Sequence, residues 1–221
     1  MNNELFGFNT DKEWDYENGF YITSNITRLA KIVAHYELYK SIVNLPGHIV
    51  DCGVYKGSSL IRFATFRDIL ESPYSRKIIG FDIFGKFPKQ DDPNDSKFIK
   101  GFESSGGDGI PVNELNKVFM HKKIDNYELI EGDIAETVPK YILEHPEFKI
   151  ALLHIDVDVY KPTEVILKYL FDKVVKGGLV VFDDFGLIAG ETRAIDEYFK
   201  DKDFIIEKLP ISHTPTFIRK K

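Results

Sequence analysis

The sequence predicts an α/β fold, a mostly parallel sheet with helices on both faces. Three observations predict it. Five apolar, β-rich runs alternate with helix-period segments, the pattern of successive βαβ units. The central runs, such as Ile150–Leu153 and Leu179–Phe182, are nearly continuous apolar stretches, as expected of strands covered on both sides. The runs end in Gly or Asp, and ligands of such sheets bind beyond the carboxyl ends of the strands. The segments DFIIEKLP and TPTFIRK add a closing antiparallel pair at one edge, completing a seven-stranded, Rossmann-like sheet.

The elements follow in order. The first twenty residues lack a clear period and are expected to wrap the domain or a neighbouring subunit. Apolar residues from Asn25 to Val43 recur at helical spacing, and Pro46-Gly47 stops that helix. His48–Val54 is the first strand and Ser58–Leu70 the helix after it. Lys77–Phe84 is the second strand. Gly85–Gly109 is rich in Gly, Pro, Asp and Ser, and so long a loop inside a compact domain reads as a substrate lid. Tyr127–Ile134 is the third strand, with a helix to Leu143. Phe148–Tyr160 holds the fourth, followed by a helix over Thr163–Val174. Gly177–Phe185 is the fifth, followed by a helix over Glu191–Phe199. The expected organisation is one domain over residues 1–221, with an N-terminal extension at 1–24 and the lid at 85–110.

Length and composition narrow the function. A chain of 221 residues suits one domain with a real core. Lys plus Arg number 29 against 35 Asp plus Glu, a net charge of −6, which argues against a nucleic-acid partner held by a basic face. No apolar run approaches the roughly 18–20 residues that span a bilayer. The N-terminus is acidic and aromatic, unlike a targeting peptide. Cys52 is the single cysteine, so no internal disulfide forms and the cytoplasm is the expected compartment. The aromatic N-terminal segment suggests contact with another copy in a homo-oligomer.

The chemistry lies at the strand ends. The first strand runs into Asp51-Cys52-Gly53-Val54-Tyr55-Lys56-Gly57-Ser58-Ser59. Glycines at a strand-to-helix turn let a ligand approach the backbone, and the helix start offers free N–H groups. The spacing is neither that of a dinucleotide fingerprint nor that of a P-loop. Asp82 ends the second strand, where an acid can accept hydrogen bonds from ribose hydroxyls. Asp133 ends the third, as an adenine contact or a helix N-cap. Asp156 and Asp158 end the fourth strand; Asp183 and Asp184 end the fifth. Four carboxylates at adjacent strand ends would repel one another, and a hard divalent cation, Mg²⁺ first, is the remedy. The bland alternative has one or two of these acids capping helices and the rest solvated.

Together these segments resemble the class I S-adenosylmethionine (SAM) methyltransferases, and more narrowly the macrocin O-methyltransferase family. The resemblance rests on YITSNITRL, IVDCGVYKGSS, FDIFGKFP, EGDIAETVP, LLHIDVDVY and KGGLVVFDDFG, in that order. It implies that Asp51, Gly53, Tyr55 and Ser59 belong to the turn holding the methionine end of SAM. Thr23 and Ser24 would touch the SAM carboxylate, Asp82 the ribose and Asp133 the adenine. It implies Asp156, Asp183 and Asp184 as Mg²⁺ ligands, with Asp156 also beside SAM, and Asp158 as catalytic base. Val157 stands where the family usually has Gly, and the lid differs most, which leaves the acceptor open.

The expected reaction is methyl transfer from SAM to a hydroxyl of a sugar, sugar nucleotide or glycosylated small molecule, a carbohydrate-type small-molecule substrate. His154 is a second base candidate or a packing residue. The remaining histidines (His35, His48, His121, His145, His213) show no metal-like spacing. Cys52 is a small buried filler. The rivals are an O-methyltransferase acting on a catechol or other vicinal diol, a non-catalytic SAM- or nucleotide-binding module, and a Mg²⁺-dependent phosphohydrolase.

Overall fold

The computed structural model describes residues 3–89 and 91–221. In chain order its elements are β1 (Glu4–Leu5), β2 (Phe8–Asn9), α1 (Glu13–Thr23), α2 (Ile26–Lys40), β3 (His48–Cys52), α3 (Ser58–Leu70), β4 (Ile78–Asp82), α4 (Pro93–Gly106), α5 (Val112–Lys122) and β5 (Tyr127–Glu131). They continue with α6 (Ile134–Glu144), β6 (Ile150–Ile155), α7 (Tyr160–Leu170), β7 (Val174–Phe182), α8 (Ala189–Phe199), β8 (Glu207–Lys208) and β9 (Thr216–Arg219).

Seven strands form one sheet in the order β5-β4-β3-β6-β7-β9-β8. The first five are parallel; β9 runs antiparallel to β7, and β8 antiparallel to β9. The chain leaves β3 for β4 on one side and returns to β6 on the other. The topological switch point therefore lies between β3 and β6, where ligands of open α/β sheets bind.

Strand alternation builds two cores. Val50, Ile79, Leu153 and Val180 face one side, against α6, α7 and α8. Ile49, Ile78, Leu152 and Leu179 face the other, against α2, α3 and α5. All eight are fully buried, so the sheet carries apolar layers on both faces.

Two sequence expectations change. The N-terminal segment, from Asn3 onward, is a β1–β2 hairpin followed by α1, which buries none of its residues. Residues 85–110 are not a plain loop. They hold the 14-residue helix α4, whose Asp92 accepts hydrogen bonds from the Asn94 and Asp95 amides while Pro93 takes the first helical position. An acid N-cap followed by Pro is a helix-start signal, and it stands in the sequence inside a stretch rich in turn formers. Met1, Asn2 and Gln90 lie outside the described residues.

Candidate active site

A cavity of about 930 Å³ opens over the switch point. Its wall brings together Gly53, Tyr55, Ser59, Asp82, Asp133, Asp156, Asp158, Asp183 and Asp184. The turn after β3 approaches the end of β6 so closely that there is no room for a side chain. Gly53 has φ +93°, and a Cβ added there would land on the Asp156 carbonyl. Across the same gap the Asp156 amide donates to the Cys52 carbonyl at 2.9 Å. Cys52 is free and buried, as a filler should be, and burial first, then Asp51 and Asp82, push its thiol up.

Asp82 receives the Tyr55 amide at 3.0 Å and the Phe84 amide at 2.5 Å, one on each oxygen. Burial raises its pKa, which the amide bonds oppose. Asp133 caps α6 by accepting from the Ala135 amide at 2.8 Å, and it still borders the cavity. Asp51 is fully buried and turned away, accepting from Ser59 Oγ at 2.7 Å and lying 2.6 Å from His154 Nδ1. Thr23 and Ser24 end α1 away from the cavity wall. Phe20, Arg28 and Lys31 occupy that side instead.

The four acids separate into a trio and a single residue. Asp156, Asp158 and Asp184 each offer an oxygen within 4.8 Å of the others. Burial, and then the Asp184 carboxylate, push Asp158 up to about 8, and it shares a hydrogen bond with Asp184. Burial followed by Asp183 raises both Asp156 and Asp184. Burial comes first in each shift and the neighbouring carboxylates second, and an all-oxygen donor set of this kind fits a hard divalent ion.

Asp183 points inward. Its Oδ2 pairs with the Lys31 ammonium, while His154 Nε2 and His35 Nε2 lie 3.5 and 3.7 Å from Oδ1. Burial alone would raise Asp183; His154, His35 and Lys31 outweigh it and hold the carboxyl well below its usual range. Arg62 Nη1 lies 3.0 Å from His35 Nδ1. A guanidinium only donates, so Nδ1 accepts and the His35 proton sits on Nε2, facing Asp183. Burial lowers His35 to about 3. Burial also pulls on His154, but Asp51 and Asp183 overcome it and raise the imidazole to about 10. His154 thus lies buried between Asp51 and Asp183, linking the β3 turn to the end of β7, and it does not reach the cavity wall. Sequence spacing of the histidines could not show that His35 and His154 meet.

Besides Arg62, four contributors escaped the sequence reading. Arg28, Lys31 and His35 form one stripe of α2 at i, i+3 and i+7, a polar row that is legible in retrospect. The fourth is Glu191, fully buried, whose Oε1 accepts from the Asp184 amide at 3.1 Å. Burial and then the Asp184 carboxylate raise its pKa.

Between pH 6.5 and 8 the folded, metal-free protein retains protons on Asp158 and His154 that the unfolded chain releases. Its stability therefore falls as pH rises through that window. Thermal melts in EDTA at the two limits should show a lower midpoint at pH 8, and saturating Mg²⁺ should flatten the difference.

The family model of the macrocin O-methyltransferases (TylF) matches residues 26–220. This chain belongs to the macrocin O-methyltransferase family. Among curated relatives, the 8-demethyl-8-(2,3-dimethoxy-alpha-L-rhamnosyl)-tetracenomycin-C 4'-O-methyltransferase of Streptomyces olivaceus is 25% identical over 150 residues, 66% of this chain and 55% of that protein. The demethyldecarbamoylnovobiocin O-methyltransferase of Streptomyces niveus is 26% identical over 184 residues, 76% of this chain and 64% of that protein. The chain thus spans less than two thirds of the length of either relative. The crystal structure of CalS11, a calicheamicin methyltransferase, superimposes with a TM-score of 0.76 at 27% identity, covering 95% of this chain and 85% of that one. Its apo form is described as a TDP-rhamnose 3'-O-methyltransferase. The seven-stranded, mostly parallel sheet is accordingly the class I methyltransferase sheet of the macrocin O-methyltransferase family.

Proposed function

We propose that the protein is a SAM-dependent O-methyltransferase that uses a divalent cation, Mg²⁺ first, to methylate a hydroxyl of a sugar, sugar nucleotide or glycosylated small molecule. The observation that carries this reading is that the glycine turn of β3 and the acids ending β6 and β7 open into one cavity. The sugar-directed activities named for its relatives support the acceptor class. A roomy cleft lined by many charged residues also suits a glycan better than the flat apolar slot of a catechol enzyme.

Bound SAM supplies an electrophilic methyl group, and a divalent cation acidifies a coordinated hydroxyl and stabilises its developing negative charge. The chain's own residues do the rest. Gly53, Tyr55 and Ser59 shape the turn around the methionine end, with Asp51 positioning Ser59 from beneath. Arg28 and Arg62 line the wall with no carboxylate in ion-pair contact among the described residues, and they take the methionine carboxylate in place of Thr23 and Ser24. Asp82 holds the ribose and Asp133 borders the adenine. Asp156 and Asp184 hold the cation, and Asp183 joins them through Oδ2, the oxygen that Lys31 pairs with in this structure. Asp158 accepts the acceptor's proton on a carboxylate oxygen, and alignment of methyl and hydroxyl supplies several kcal/mol of the rate enhancement. Residues 85–110 form the lid over the acceptor.

Calorimetry with SAM, SAH, NAD and ATP should show binding of SAM and SAH alone. Failure of both to bind would reject the reading. Methyl transfer to a sugar nucleotide should stop in EDTA and return with Mg²⁺, and metal-independent turnover would remove the cation from it.

A further inference from the structure

We propose that Lys31 is a built-in counter-cation that holds Asp183 while the divalent ion is absent and releases it when the ion binds. This rests on the cation assignment just made. Lys31 reaches from α2 into the cavity, and its ammonium pairs with Asp183 Oδ2. The other oxygen, Oδ1, is buried and faces the Nε2 atoms of His154 and His35 at 3.5 and 3.7 Å. Oδ2 is therefore the oxygen through which Asp183 can join Asp184 and Asp156 around an ion, and Lys31 already occupies it.

An ammonium and a divalent ion cannot share one carboxylate oxygen without strong mutual repulsion. Asp183 itself is clamped by two imidazoles, whereas the Lys31 side chain is a flexible four-carbon stem that remains 28% exposed. Lys31 is the partner free to move. Before the ion arrives it neutralises the one acid of the four that is almost fully buried. Afterwards its charge swings into the cavity.

Mn²⁺ serves as the probe, with the full chain and no SAM or acceptor. Lys31→Met keeps the length of the stem and removes the charge. It should bind Mn²⁺ about fivefold to tenfold more tightly than wild type, the fold-change expected from deleting one partly buried ion pair. Equal or weaker binding by the variant would overturn the proposal. A wild-type measurement covers the case in which the variant folds poorly. Acetylation of Lys31, read by mass spectrometry, should rise severalfold when Mn²⁺ saturates the protein. Unchanged labelling with Mn²⁺ bound would overturn it equally. Absence of Mn²⁺ binding by both proteins would overturn it together with the cation assignment, while SAH calorimetry would still decide the methyltransferase reading separately.

Discussion

Asp158→Asn is expected to retain SAH binding and to lower the turnover rate by about a hundredfold to ten-thousandfold, the range that a lost general base commands. The substitution separates chemistry from folding for a local reason. Asp158 has φ +63°, in the left-handed region that Asn tolerates nearly as well as Asp and that Ala tolerates poorly. The Asn amide can also donate to Asp184 as the protonated Asp158 does. Stability of the metal-free protein should therefore change little while transfer collapses. The check is a pair of measurements on one preparation, calorimetric SAH affinity and single-turnover methyl transfer. Unchanged turnover would strip Asp158 of the base role.

Gly53→Ala is expected to have the largest structural effect. A Cβ at this position meets the Asp156 carbonyl carbon and oxygen, which are backbone atoms and cannot rotate away. The residue's positive φ adds strain for any L side chain. Overpacking and the left-handed backbone together should cost about 2–5 kcal/mol, read from urea unfolding. SAH affinity should fall as well, because relief of the clash must part the cofactor turn from the end of β6. Gly19→Ala is the internal control. It lies within α1 with open space around its Cβ position and should be neutral or slightly stabilising.

Most of the sheet was legible because its strands are apolar runs with Gly or Asp at their ends, and burial on two faces leaves little else that such runs can be. The helix over Ser58–Leu70 agrees with α3 to the residue. What escaped was governed by partners distant in sequence. The length of α4 was hidden because five of its fourteen residues are Gly or Ser, although Asp92-Pro93 marked its start. Helix α5 falls in a stretch the sequence reading left unassigned. At the site, strand alternation identified the four acids but could not show that Asp183 turns away from the other three. That orientation is imposed by Lys31 and His35 of α2, roughly 150 residues earlier in the chain. Asp51 was likewise found as part of the cofactor turn, but its inward direction depends on His154, which reaches it from the neighbouring strand.

Helix α4 is fastened at its two ends to opposite halves of the sheet. Near its start, Asp95 accepts from the Tyr160 amide at 2.9 Å and Asp92 pairs with Arg193 of α8 at 2.9 Å. At its end, the Gly106 carbonyl receives Tyr55 Oη at 2.5 Å and Lys56 Nζ at 2.6 Å. Fourteen residues of helix measure about 21 Å, so the helix acts as a fixed-length tie beam across the mouth of the cleft. An ancestral insertion or deletion of one turn would widen or narrow that mouth by about 5 Å while leaving every acid at the strand ends in place. Evolution could in this way resize the acceptor without disturbing the chemistry beneath it.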